Sequence, residues 1–276
     1  MTDRRLTPAN GRVAHVSLRG QVTAETFVEG EWARICQALA DLDAAMTGPR
    51  ERQLLAGARI LVLDRQDGRC FVQHAADGYC GWVDAAAIGP DHDVTHWVAA
   101  PASHVYPGPD FKQRELRPLF LGSLVSVADV KGRFAVLSDG GHVPAVHLRR
   151  LDDRPGDPAG VALALSGSPY LWGGNTRQGI DCSGLVQLAL TACGLACPAD
   201  SDQQEAAVGS PVAPGEALRR NDLLFWKGHV GLALDAVTLI HANAFHMAVA
   251  AEPVDACVTR IAESGGGPLR AVRRFL

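Results

Sequence analysis

The chain has 276 residues, room for one large domain or two to three small ones. Hydrophobic residues make up 47% and charged residues 20%, the balance of an ordinary soluble globular protein rather than a disordered or fibrous one. The net charge is −4 and the 26 basic residues are scattered, so there is no electrostatic case for nucleic acid or an acidic membrane as partner.

The N-terminus, Met1-Thr-Asp-Arg-Arg-Leu-Thr-Pro-Ala-Asn-Gly11, carries no apolar segment behind its charges, and no later run is long enough to span a bilayer. Seven cysteines in irregular spacing do not make a disulfide framework. A reducing cytoplasm is the expected compartment. Cys193 and Cys197 stand four apart, but no second Cys/His pair at zinc spacing accompanies them, and no metal is expected there.

Residues 1–32, with Val13-Ala-His-Val-Ser-Leu18 and Glu25-Thr-Phe-Val-Glu29, read as an extension packed against the β-rich stretch after residue 33. From about 33 to 151, short apolar runs alternate with Asp/Gly turns. Arg59-Ile-Leu-Val-Leu63, Cys70-Phe-Val-Gln-His74 and Tyr79-Cys-Gly-Trp-Val83 are predicted strands of a small β-barrel. A second block repeats the layout at a period of about 65 residues, with Leu119–Val127, Phe134–Leu137 and His142–Val146. The barrels are expected at 33–90 and 91–151. Gly78-Tyr-Cys-Gly-Trp-Val83 resembles the usual ending of bacterial SH3-like barrels. His96, His104 and Tyr106 lie in the second block without a matching ligand set and read as packing or surface residues. Leu151-Asp-Asp-Arg-Pro-Gly-Asp-Pro158 has the character of a linker, set at 152–159.

The domain expected at 160–276 opens with a helix candidate, Val161–Leu165. A second helix is predicted to begin at about Cys182, because Leu185, Leu188, Ala189 and Ala192 recur at helical spacing. Asp181 is its natural N-cap, and Gly173 and Gly174 let the backbone bend ahead of it. A thiolate there would sit at the positive end of the helix dipole, which lowers its pKa. An isolated cysteine is more often a buried structural thiol, so a base is needed to make this one a nucleophile.

The base is sought in the strands after Asn221. A three-residue loop, Leu234–Ala236, would set His229 directly opposite His241, with Cβ atoms about 4.5–5.5 Å apart. His229 would then take the thiol proton and His241 would fix its tautomer, the nucleophile–base–orienter arrangement. Asn243 and His246 are the rival orienters.

Tyr170-x-Trp-Gly-Gly, Asp181-Cys-Ser-Gly, Asp222-Leu-Leu-Phe-Trp, Gly228-His-Val-Gly and Ile240-His-Ala together resemble the NlpC family of cell-wall cysteine peptidases. With two SH3-like barrels ahead, the chain is most similar to γ-D-glutamyl-L-diamino acid endopeptidases (dipeptidyl-peptidase VI type) that degrade recycled murein peptides. The resemblance implies Cys182 as nucleophile, His229 as base and His241 as third catalytic residue. It implies the Cys182 N–H and the Tyr170 hydroxyl as oxyanion helpers, and Trp172 and Ser183 as pocket lining, although Trp172 also reads as plain core. It further implies Asp200 and Tyr79 at the substrate's free ammonium. Relatives often have Pro-Arg-Asp where this chain has Pro198-Ala199-Asp200, so a carboxylate partner is missing unless Arg177 supplies it. Asp41, Asp43 and Glu51 are candidates for the barrel acid that accompanies the tyrosine.

The expected fold is a papain-like α+β peptidase domain behind two SH3-like β-barrels. The expected reaction is hydrolysis of the γ-D-Glu–diamino acid bond in murein stem peptides with a free N-terminal L-Ala. No metal, cofactor, nucleic acid or membrane partner is expected. The alternatives are another amidase or acyl transfer on the same residues, or a non-catalytic wall-binding protein.

Overall fold

The computed structural model describes residues 3–275; Met1, Thr2 and Leu276, the outermost residues of the expected extension and peptidase domain, lie outside the described residues. The chain divides into two compact units, Met1–Asp152 and Asp153–Leu276.

In the N-terminal unit, two short strands, Val13–His15 and Thr26–Val28, pair in parallel. Val13 then joins Leu61, Leu63, Phe71, Cys80 and Trp82 in one apolar core, which ties the extension to the first barrel. A seven-stranded sheet builds that barrel. It runs from Arg50–Leu55 through Leu39–Asp43, Cys80–Asp84, Arg69–His74, Arg59–Gln66 and Glu31–Ile35 to Ile88–Pro90. Asp67 and Gly68, at φ of 48° and 76°, make the two-residue turn that joins its longest strands. Both angles are left-handed, as a turn that follows the sheet's twist requires.

The second block folds into smaller sheets around Val98, Val105, Leu119, Val125, Leu137 and Val143, with Ala56 of the first barrel packed among them. The apolar run 119–127 is split between three strands, Arg117–Phe120, Leu124–Val125 and Val127–Lys131. His96 starts a strand paired to Val125, and His104 packs its ring 6.2 Å from that of Tyr106.

The C-terminal unit is a six-stranded antiparallel sheet. Its order is Ser210–Pro211, Ala271–Arg274, Leu223–Trp226, His229–Ala233, Thr238–Asn243 and Ala248–Pro253. Helix α1 (Pro158–Leu163) starts on a proline, whose missing N–H costs nothing at a first turn. Helix α2 (Cys182–Ala192) lies against the His229–Ala233 and Thr238–Asn243 strands and is buried along most of its length. A helix apolar nearly all round can only be placed in this way. Helix α3 (Ser201–Ala207) follows, and α4 (Val254–Glu263) packs Cys257 and Ile261 onto Leu224, Trp226, Ala233 and Leu239. The Ala248–Pro253 strand and α4 are not anticipated from the sequence. The fold is α+β, with SH3-like strands ahead of the sheet-and-helix unit.

Candidate active site

Cys182 is the first residue of α2. Asp181 caps the helix: its Oδ1 accepts from the Gly184 N–H at 2.7 Å, and its Oδ2 accepts from the Gly173 N–H at 2.8 Å. One carboxylate therefore holds both the first turn and the glycine loop ahead of it. Gly184 is needed for closeness, since a Cβ there would lie 2.6 Å from the Gly174 carbonyl oxygen. The Cys182 sulfur faces the backbone N–H groups of Val230, Ser183 and Cys182 itself. Val230 directly follows His229, so α2 brings the thiol to the start of the histidine strand.

The thiol is nevertheless pushed up to about 12, first by burial and then by the Asp181 charge, and the three amides do not offset this. The expectation of a lowered thiol pKa is corrected here. A helix N-terminus is worth about a kcal/mol or so at a typical exposed site, less than the desolvation of a buried thiolate.

His229 Nε2 and His241 Nδ1 are 2.7 Å apart. The register differs from the three-residue loop expected. The strands pair Ala233 with Leu239 and Leu232 with Ile240, and the loop spans the five residues 234–238. Asp235 causes this by accepting from the N–H groups of Val237 and Thr238 at 2.9 and 2.8 Å, which closes a tight turn inside the longer loop. The register thus sets His241 opposite Gly231, and His229 reaches it along the diagonal, a span that ring side chains cover. A Cβ at Gly231 would lie 3.5 Å from that of His241 and 2.8 Å from Leu239 Cδ1, so glycine leaves the room for this crossing. Burial, then the neighbouring His241 and Arg260, press His229 down to about 3.

The histidine row does not stop at His241. Its Nε2 lies 2.7 Å from Oε1 of Glu252, which also accepts from Arg260 of α4. Glu252 is again diagonal, because His241 pairs with Ala250. The Glu252 carboxyl is half-buried, which raises it, but the hydrogen bond and charge of His241 and the charge of Arg260 keep it below the usual carboxylate range. Neither Glu252 nor Arg260 was singled out in the sequence; the signal would have been a strand at 248–253 in the observed register. Of the rival orienters, Asn243 accepts from the N–H of His246 and contacts its Nδ1, rather than reaching His229. Among the described residues, His241, His246 and Glu252 are the one group close enough to hold a metal ion, and the Arg260 guanidinium already sits on that carboxylate.

The remaining candidates divide between the units. In the C-terminal unit the Tyr170 phenol is raised to about 12 by burial, then by the charges of Cys182 and Asp181, which reach it. Ser183 donates to Asp181 Oδ1 at 3.2 Å, and its carbonyl accepts from Gln204 Nε2. Trp172 is 67% exposed and so is not a core residue. Asp200 is the N-cap position of α3, and its charge reaches Asp181. Ala199 is buried, and Arg177 donates to the Ala164 carbonyl at the end of α1.

In the N-terminal unit Tyr79 is buried, with the Arg52 guanidinium 5.3 Å from its ring centroid. Asp41 is bonded by Gln53, Asp43 by Arg69 and Glu51 by Arg4. The acid nearest Tyr79 in the hydrogen-bond pattern is another one, Asp77, which accepts from the Tyr79 N–H at 3.1 Å and pairs with Arg52 and His74.

Residues 167–259 match the NlpC/P60 family, and residues 43–88 match the bacterial dipeptidyl-peptidase Sh3 domain. A Bacillus subtilis protein named gamma-D-glutamyl-L-lysine dipeptidyl-peptidase is 29% identical over 219 residues, 70% of this chain and 72% of that relative. A Mycobacterium bovis protein named as a probable endopeptidase is 31% identical over 140 residues; this covers 49% of this chain and only 34% of the relative's length. Among solved structures, an NlpC/P60 family protein from Bacillus cereus superposes with a TM-score of 0.75 at 19% identity. It covers 89% of this chain and 100% of that one, a likeness of fold.

Proposed function

From an NlpC/P60 domain and a bacterial dipeptidyl-peptidase SH3 domain in one chain, we propose that the protein is a cysteine peptidase of cell-wall peptides that cleaves the γ-D-Glu–diamino acid bond. The observation that carries this reading is Cys182 at the head of α2, against the amide of Val230, with His229 and His241 hydrogen-bonded at 2.7 Å. The relative named for γ-D-glutamyl-L-lysine peptides, similar across both units, favours that bond.

In the proposed mechanism His229 takes the Cys182 proton as the sulfur attacks the scissile carbonyl. The oxyanion is met by the Cys182 N–H and the Tyr170 hydroxyl. His229 returns its proton to the leaving amine of the diamino acid, leaving a thioester on Cys182. Water, deprotonated by His229, attacks the thioester and frees L-Ala-γ-D-Glu, and the proton goes back to the sulfur. His241 is the third catalytic residue. Trp172 and Ser183 line the pocket, and Asp200 is assigned to the substrate's ammonium end. The role proposed is recycling of short wall peptides in the cytoplasm, and seven cysteines without a disulfide among them fit a reducing compartment.

The test is hydrolysis of L-Ala-γ-D-Glu-diaminopimelate beside its N-acetylated twin, with Cys182→Ala as control. Cleavage of the free-amine peptide alone, lost in the variant, is expected. Equal cleavage of both would remove the ammonium gate and favour a broader wall hydrolase; no thiol-dependent cleavage would return the chain to transferase or binding roles.

A further inference from the structure

We infer that Glu252 is a positioning residue for the reaction: through His241 it sets which nitrogen of His229 is free to act as the base. This rests on the peptidase reading above and adds a residue to it. The chain of contacts is Arg260 to Glu252 Oε1, Oε1 to His241 Nε2 at 2.7 Å, and His241 Nδ1 to His229 Nε2 at 2.7 Å.

Each contact determines the next. A carboxylate only accepts, so the His241 proton must be on Nε2. In a neutral imidazole the other nitrogen is then an acceptor, and His241 Nδ1 can only receive. His229 must therefore donate from Nε2, which leaves its Nδ1 unprotonated and able to take a proton from the thiol. A single negative charge two residues away thus selects the reactive tautomer. The groups facing this row are His229 from its own strand, His246 from the loop after Asn243, and Cys257 and Arg260 from α4. Arg260 is held in turn, 4.3 Å from the centroid of the Phe245 ring.

Glu252→Leu removes the acceptor at similar size. The one oxygen Oε1 serves both Arg260 and His241 Nε2, so without it nothing holds the His241 proton on Nε2. That proton is then free to move to Nδ1 and donate to His229 Nε2, which leaves the His229 proton on Nδ1, where a base is needed.

The experiment is long-range proton–nitrogen NMR of the histidines in the full chain, read beside hydrolysis of L-Ala-γ-D-Glu-diaminopimelate. The wild-type protein is expected to carry the His229 proton on Nε2. Glu252→Leu is expected to release it to both nitrogens and to lower kcat by about 10²-fold with little change in KM, less than the ~10⁴ lost when a triad carboxylate itself becomes an amide. Glu252→Asp, which keeps a carboxylate, is expected to retain the wild-type tautomer. A His229 proton on Nδ1 in the wild-type protein overturns the proposal, and so does a tautomer unchanged in Glu252→Leu. Should that variant not fold, the wild-type spectrum decides. Should the full chain hydrolyse nothing, the peptidase reading fails, while the tautomer still decides the role of Glu252.

Discussion

His229 and His241 share a 2.7 Å contact although the strand register sets His241 opposite Gly231. The space for the crossing comes from small residues on either side, Gly231 on one neighbouring strand and Ala250 on the other. Gly231→Ala tests this directly. The added methyl would meet Leu239 Cδ1 at 2.8 Å, and Leu239 is fully buried, so the core must shift. Overpacking of this kind costs about 1–3 kcal/mol. The expected outcome is a lowered urea midpoint together with reduced kcat. Full activity at unchanged stability would mean that the diagonal needs no glycine.

Cys182 and His229 are both uncharged at rest, since burial raises the thiol to about 12 and presses the imidazole down to about 3. The thiolate then appears only as the proton crosses to His229. Alkylation of Cys182 by iodoacetamide should accordingly be slow at about pH 6 and rise steadily with pH, because only the thiolate reacts. Hydrolysis should persist at about pH 5, since the base stays unprotonated well below the ordinary histidine value. Fast alkylation that is flat from about pH 5 to 8 would instead reveal a resting thiolate–imidazolium pair.

The Cys182 helix and the two histidine strands were legible because their signals are local. A capping Asp181, a glycine approach and a helical apolar period mark the first; apolar runs around Gly228-His-Val-Gly and Ile240-His-Ala mark the second. Register was not legible. It depended on Asp235 folding the loop on itself, and a shift of two residues keeps every side chain on its face, so the pattern alone could not tell the two apart. Glu252 was hidden for another reason. Its strand, Ala-Val-Ala-Ala-Glu-Pro, has one β-branched residue, and its partner is set by neighbours far along the chain. Burial of the thiol is likewise a tertiary property, which reverses the sign inferred from its place on a helix.

Asp77 should anchor the first barrel. It and Arg52 are nearly enclosed, with side-chain exposures of 5% and 8%, and His74 bonds the same carboxylate. Despite burial, the charges of Arg52 and His74 drive its pKa far below the ordinary value of 3.8. A depressed folded-state pKa gives stability that is complete above 3.8 and is lost as pH falls toward the folded value. Asp77→Ala takes a buried carboxylate partner from the enclosed Arg52, at a cost of about 3–5 kcal/mol near neutrality. Urea unfolding should show the gap to wild type narrowing by about 1.4 kcal/mol per pH unit below the ordinary value. A gap independent of pH would mean that the methyl-for-carboxylate change acts through packing instead.

Asp200 gives the sharpest test of substrate choice. It stands at the start of α3 but does not cap that helix with its side chain, and its charge is felt at Asp181, next to Cys182 in the chain. A carboxylate in that position suits the ammonium of an N-terminal L-Ala, and such a charged hydrogen bond is worth about 1.5–3 kcal/mol. Asp200→Asn should therefore raise KM for the free-amine peptide by about 10- to 100-fold, the equivalent of that energy. The N-acetylated peptide has no charge to lose, so its weak binding, read as inhibition, should not change. A merely structural role would lower both peptides alike, because damage to α3 cannot tell an amine from an amide. Equal losses would accordingly remove Asp200 from the ammonium end and leave selectivity to other residues of the groove.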